Sequence, residues 1–216
     1  MITCILFDLD GTIIDSEPLA FKAILDCAQE WGVPVLPEDA ATVAGKKWEV
    51  AFDLLYSKFK MPLPKGEASR AIIERYKEII KKELGTVPFV VEAIEDFAKH
   101  YRLALISGSH RAEILWALTK LNVIQHFEVI LGAEDYADSK PAPDGYLKAL
   151  QMLGIPCSEA LVFEDSNAGI LSAKAAGVKV VGITSTNHFH FDQTASDVLI
   201  HDFKGVDTAW VKKHFS

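Results

Sequence analysis

Residues 2–12 read ITCILFDLDGT, an apolar run that leads directly into two carboxylates and a glycine. A continuous run of Ile, Leu and Phe predicts a strand that is buried on both faces, as in a parallel sheet. In open α/β sheets the ligand crevice lies outside the carboxyl ends of such strands. Because like charges repel, Asp8 and Asp10 at this edge indicate a bound cation or chemistry on an anion, with two solvated loop acids as the alternative.

From residue 90 onward, helical and strand-like patterns alternate along the sequence. The predicted strands are 103–106, 129–131, 160–163 and 178–182, and the predicted helices are 91–100, 111–121, 143–153 and 168–176. This alternation predicts a parallel sheet with helices on both faces, to which the strand at residues 2–8 also belongs. A short edge strand at 197–200 and a last helix at 206–214 are also expected. The predicted fold class is α/β, a doubly wound parallel sheet.

Residues 16–85 show helical periodicity and no strand-like run. A first helix is expected to begin near Pro18 and to end at Gly32, and a second helical region to begin at Pro37 and end before Pro62. A third helix follows and ends near residue 85. We therefore expect one α/β core, residues 1–15 and 86–216, interrupted by an all-helical insert, residues 16–85.

The composition restricts the classes of function that are open to the chain. Its 216 residues include 22 Lys and Arg against 30 Asp and Glu, which gives a net charge of -8. Nucleic-acid binding would favour a basic surface, and no apolar stretch approaches the length of a membrane span. Three cysteines without CxxC spacing are typical of reduced thiols in a cytoplasmic protein. We expect no nucleic-acid or membrane partner, and a monomer or weak homo-oligomer.

Polar residues follow three further predicted strands. Ser107 stands in the sequence LISGS, Lys140 in SKPAPD, and Glu164 and Asp165 in FEDSNAG. Each has an ordinary structural explanation when taken alone, such as a helix cap or a solvated loop charge. Because all of these segments follow apolar strands, their side chains are expected to converge with those of the first segment on one edge of the sheet.

This ordered set of motifs resembles the haloacid dehalogenase superfamily of phosphotransferases over essentially the whole chain. The first motif of that family is Asp-x-Asp-Gly-Thr, present here from Asp8 to Thr12. A Ser or Thr after the second strand, a Lys before Pro-x-Pro and an acid pair before Ser-x-x-Gly follow in the same order. The helical insert and the continuation from Asp15 to Glu17 are most similar to the β-phosphoglucomutase-like and phosphoglycolate-phosphatase-like branch.

The resemblance implies a role for each of these core residues. Mg²⁺ would be held by the carboxylates of Asp8 and Asp165 and by the backbone carbonyl of Asp10, with Glu164 as an auxiliary ligand. Asp8 would be the nucleophile that forms an aspartyl-phosphate, and Asp10 the general acid and base. The phosphoryl oxygens of a small phosphorylated metabolite would be bound by Ser107, Gly108 and Lys140.

The insert bears on the choice between hydrolysis and phosphoryl transfer to a second substrate. β-Phosphoglucomutase uses a histidine of this region to protect its phosphoenzyme, whereas the matching residue here is Ala20 and none of the seven histidines lies in residues 16–85. We therefore favour a phosphatase over a mutase. A dehalogenase of the same superfamily is the less favoured alternative, since it needs no metal and would have little use for Asp10 or the acid pair.

Three insert residues are candidates for substrate contact. Lys46 and Lys47 could bind an anionic group of the substrate, and Trp48 could stack on it or act as a lid. The alternative is a basic turn before a helix, with the indole packed inside the insert. Sequence alone favours neither reading.

Overall fold

The computed structural model describes residues 1–41, 48–188 and 190–215. The chain separates into two compact units. One consists of Met1–Ile14 together with Thr86–Ser216, and the other of Asp15–Gly85. The described residues contain no helix with the length and apolar character that a membrane crossing requires.

The larger unit is built on a parallel sheet, which confirms the predicted fold class. Its six strands within the described residues are β1 Cys4–Phe7, β2 Arg102–Ile106, β3 Phe127–Leu131, β4 Ala160–Glu164, β5 Lys179–Ile183 and β6 Val198–Ile200. They lie in the order β3-β2-β1-β4-β5-β6, and every neighbouring pair is parallel. The strand order reverses between β1 and β4, and in such sheets the ligand crevice lies at this point.

The helices lie where the periodicity predicts them, with small differences at their ends. In the smaller unit they are α1 Glu17–Glu30, α2 Pro37–Ala41, α3 Trp48–Lys58 and α4 Lys65–Lys82 among the residues described there. In the larger unit the described helices are α5 Val90–Phe97, α6 Arg111–Lys120, α7 Asp144–Leu153, α8 Asn167–Ala175 and α9 Thr208–His214. The single helical region predicted after Pro37 contains two described helices, α2 and α3.

Side-chain caps explain two of these differences. The last helix begins at Thr208 and not at residue 206, because the Asp207 carboxylate accepts the backbone N–H of Trp210 at 2.8 Å. Likewise α8 begins one residue before the predicted start, because the Ser166 hydroxyl accepts the backbone N–H of Gly169 at 3.0 Å.

β1 is buried on both faces, as its apolar sequence predicts. Alternate residues such as Leu6 pack into a cluster with α7 and α8, and the Phe7 ring on the other face stacks on Phe163 of β4 with centroids 5.3 Å apart. Phe7 and Phe163 are also register partners in the sheet. The residues that follow them, Asp8 and Glu164, are thereby placed side by side at the carboxyl edge.

Candidate active site

Lys140 joins the two acidic segments at this edge. Its ammonium lies 2.5 Å from Oδ1 of Asp8 and 2.6 Å from Oε1 of Glu164, and it also donates to the carbonyl of Ile106 at 3.3 Å. The sequence places Asp8 and Lys140 132 residues apart. The structure brings them together because the loop after β3, which carries Lys140, lies at the same carboxyl edge of the parallel sheet as the end of β1.

Three carboxylates share this corner of the sheet. Asp8, Glu164 and Asp165 each offer one oxygen within 4.8 Å of the others. A single lysine does not balance their charge, and a set of carboxylate oxygens is the donor set that hard divalent cations prefer. The described residues therefore fit a divalent metal ion between β1 and β4.

The pKa shifts of Asp8 and Lys140 are consistent with a metal ion at this position. Burial raises the pKa of the Asp8 carboxyl to about 8, and the nearby Lys140 only partly opposes that effect. Burial would by itself lower the pKa of Lys140, but the carboxylates of Asp8 and Glu164 hold it well above its usual value. Lys140 thus stays charged, and a second positive charge near Asp8 would favour the carboxylate form of that residue.

Gly11 allows the loop after β1 to approach the loop after β4. Its φ is +80°, and a Cβ built on it would lie 2.1 Å from Oδ2 of Asp165. A Cβ there would displace the Asp165 carboxylate, and a positive φ favours glycine in any case. The glycine of the first motif therefore leaves room for the Asp165 carboxylate as well as allowing the turn.

Glu164 is fully buried and is held by contacts within the protein. Its Oε1 accepts hydrogen bonds from Lys140 and, at 3.4 Å, from the Tyr146 hydroxyl. Its Oε2 accepts the backbone N–H of Ser166 at 2.8 Å and the Ser166 hydroxyl at 3.0 Å. These bonds orient Lys140 and fix the start of α8, in addition to any contact with a metal ion.

Ser107 and Gly108 lie at the carboxyl end of β2, beside this corner. The buried Ser107 hydroxyl accepts the backbone N–H of Ser109 at 3.0 Å, and the Ser107 carbonyl accepts the Tyr136 hydroxyl at 2.8 Å. Gly108 is exposed, and a Cβ built on it meets no atom within 4 Å. The turn is thus held in place by hydrogen bonds within the protein, and the space beside the exposed Gly108 is open, as a site for an anion requires.

Comparison with known proteins supplies the family. The family model for haloacid dehalogenase-like hydrolases matches residues 5–183. The chain belongs to this family. It is 34% identical to protein CbbY of Rhodobacter capsulatus over 94% of this chain and 95% of that protein. It is 28% identical to the phosphorylated carbohydrates phosphatase of Thermotoga maritima over 81% of this chain and 82% of that protein.

A solved structure agrees with these relatives. CbbY of Rhodobacter sphaeroides, crystallised as a variant with xylulose-1,5-bisphosphate, has a TM-score of 0.74 and 27% identity over 96% of this chain and 100% of that chain. Family and relatives together show that this haloacid dehalogenase-like hydrolase is a phosphatase-type enzyme.

Three residues of this hydrolase contact the site loops and were not predicted. The Ser109 hydroxyl donates to Oδ2 of Asp10 at 2.7 Å. The Thr186 hydroxyl donates to the carbonyl of Gly11 at 2.5 Å, and the Gln193 amide donates to the carbonyls of Asp165 and, at 2.7 Å, Ile183. Ser109 could have been suspected from its place in the Ser-Gly-Ser turn. The segment that contains Thr186 and Gln193 has no periodicity and gave no signal.

The insert candidates are not located by the structure. Lys46 and Lys47 lie outside the described residues, and Trp48 is described only as the first residue of α3. Their contact with substrate stays a prediction from the sequence.

Proposed function

We propose that this hydrolase is a Mg²⁺-dependent phosphatase that cleaves a small phosphorylated metabolite, a sugar phosphate, through an aspartyl-phosphate on Asp8. The observation that carries the proposal is the Lys140 ammonium, which bridges Asp8 and Glu164 beside the carboxylate of Asp165. This supports the proposal, because a carboxylate that could act as nucleophile, a lysine and an acidic cluster lie together where the sheet reverses its strand order.

The carboxylates of Asp8 and Asp165 and the carbonyl of Asp10 would hold Mg²⁺, with Glu164 as an auxiliary ligand. Bound there, the ion would reduce the repulsion between the Asp8 carboxylate and an anionic phosphate. Lys140, Ser107 and the Gly108 turn would bind the phosphoryl oxygens.

The reaction then has two steps. Asp8 attacks phosphorus, the bond from phosphorus to the ester oxygen breaks, and Asp10 gives its proton to the departing oxygen. Asp10 next takes a proton from water, the water oxygen attacks phosphorus, and the bond to Asp8 breaks. The products are an alcohol and inorganic phosphate, and both aspartates return to their initial states.

Hydrolysis is favoured over transfer to a second substrate. Residues 16–85 carry no histidine that could protect a phosphoenzyme from water. A metal-independent dehalogenase would not need the three clustered carboxylates. The relatives favour a sugar phosphate, since one is named a phosphorylated carbohydrates phosphatase and another binds a sugar bisphosphate in its crystal. Lys46, Lys47 and Trp48 are our candidates for contact with the sugar.

The proposal is tested by phosphate release from a panel of sugar phosphates and p-nitrophenyl phosphate, with Mg²⁺ and with a chelator. Asp8→Asn is expected to lose at least about 1,000-fold in kcat, as for removal of a nucleophile elsewhere. Asp53→Asn, an exposed aspartate on α3, is the matched control and should keep full activity. Activity that survives in Asp8→Asn, or that does not depend on Mg²⁺, would show the proposal to be wrong.

A further inference from the structure

The Ser109 hydroxyl lies 2.7 Å from Oδ2 of Asp10, and the two residues are 99 positions apart in the sequence. This is the usual length of an O–H···O hydrogen bond between a hydroxyl and a carboxyl group. Because this contact engages Oδ2, it fixes the orientation of the Asp10 carboxyl group and with it the position of Oδ1.

Ser109 is itself fixed by its backbone. Its N–H donates to the Ser107 hydroxyl at 3.0 Å, and its carbonyl accepts the N–H of Ala133, after β3, at 3.0 Å. The backbone N–H of Arg111 donates to both carboxylate oxygens of Glu134, at 3.0 and 3.2 Å. The turn between β2 and α6 is thus tied to the loop after β3 at the serine itself and two residues after it.

We propose that Ser109 is a positioning residue for Asp10, which holds Oδ1 ready to protonate the leaving oxygen and so determines how basic a leaving group the enzyme can expel. This inference rests on the proposed function and deepens it. A fixed hydroxyl on a short turn can hold a carboxyl group in one orientation at little entropic cost.

The dependence on the leaving group follows from the bond that breaks. When Asp8 attacks, the electron pair of the bond from phosphorus to the ester oxygen moves onto that oxygen, and the proton from Oδ1 of Asp10 neutralises it. A p-nitrophenolate leaves readily without this proton, because its charge is delocalised over the ring. A sugar alkoxide or a more basic phenolate requires the proton as it departs.

The test uses the full-length enzyme with Mg²⁺ and a series of aryl phosphates, from p-nitrophenyl through phenyl to p-methoxyphenyl phosphate. In Ser109→Ala we expect kcat/KM, which reports the step in which the leaving group departs, to fall about 10-fold or more for the most basic leaving group and less than about 3-fold for p-nitrophenyl phosphate. Asp10→Asn should show the same dependence on the leaving group, but more steeply.

Thr and Val at residue 109 form a matched pair, since they have nearly the same shape and differ in the hydroxyl. Ser109→Thr should keep the wild-type dependence, whereas Ser109→Val should resemble Ser109→Ala. Thermal unfolding of each variant establishes that it is folded. If Ser109→Ala fails to fold, the Thr and Val pair decides the question.

Two results would overturn the inference. An equal loss of kcat/KM on every substrate that comes from a lower kcat would mean that the serine only supports the turn. An equal loss that comes from a higher KM would mean that it contacts the phosphate instead. Failure of the proposed function is recognised separately, by absence of wild-type turnover or by activity that survives in Asp8→Asn.

Discussion

Gly11 shows how much a single residue contributes to this site. It has a φ of +80°, and a Cβ there would lie 2.1 Å from the Asp165 carboxylate. Gly11→Ala should therefore lose about 1–3 kcal/mol of unfolding free energy through backbone strain. It should also displace the Asp165 carboxylate, which we propose as a metal ligand. We expect more than about a 100-fold loss of kcat, because a displacement of this size misaligns the reacting groups.

Gly205 supplies the control for that prediction. It also has a positive φ, +73°, but a Cβ there meets no atom within 4 Å. Gly205→Ala should lose a similar amount of unfolding free energy in urea and keep wild-type phosphatase activity. If both variants lose stability and activity equally, the close approach of Gly11 to Asp165 has no functional importance.

At the scale of elements, the loop between β5 and β6 supports the active-site edge through Gln193. This buried side chain donates to the carbonyls of Asp165 and Ile183, which follow β4 and end β5. Gln193→Leu keeps the volume and leaves both carbonyls without this donor. An unsatisfied buried polar group costs about 1–3 kcal/mol. We expect a loss of that order in urea unfolding and weaker Mg²⁺ binding by calorimetry.

Gln125→Leu is the matched control. The Gln125 amide donates at 2.7 Å to the carbonyl of Asn122 three residues away, in an exposed position. Its replacement should change stability by less than about 0.5 kcal/mol and leave Mg²⁺ binding unchanged. If Gln193→Leu lowers the unfolding free energy but leaves the Mg²⁺ affinity unchanged, Gln193 contributes to stability and not to the metal site.

These elements also show which features the sequence could predict. Apolar runs and helical periodicity are local, so they identified all six described strands and the helices between them. The ends of helices were predicted less accurately. Several neighbouring residues could cap a helix, and the sequence does not show which one does so, as Asp207 does for α9.

The site itself was predictable where a motif follows a strand. Asp8, Lys140 and Glu164 meet because parallel neighbouring strands all end at one edge. The contacts of Ser109 and Gln193 were not predictable in the same way. Each joins a side chain to a partner that lies far away in the sequence or in an irregular loop, and no periodic pattern encodes such a contact.

At the scale of the whole molecule, the last segment of the chain returns to the helix that precedes β2. The Asp96 carboxylate of α5 accepts the backbone N–H of Thr208 at 2.8 Å, across 112 residues of sequence. This hydrogen bond holds the pKa of Asp96 below its usual value. A carboxyl whose pKa is lower in the folded state stabilises the fold above its unfolded pKa of about 3.9. That contribution is lost as the pH falls through the folded pKa.

Asp96→Asn should therefore be less stable than the wild type at pH 7, by about 1 kcal/mol for a partly exposed charged hydrogen bond. The two proteins should converge in urea unfolding as the pH falls through the folded-state pKa of Asp96, below which the wild-type carboxyl is also protonated. The difference between the two unfolding curves across this range measures the Asp96 contribution alone, since all other carboxyls titrate in both proteins. A difference that stays constant as the pH falls from 7 to well below the unfolded pKa of Asp96 would show that this residue acts through the shape of its side chain and not through its charge.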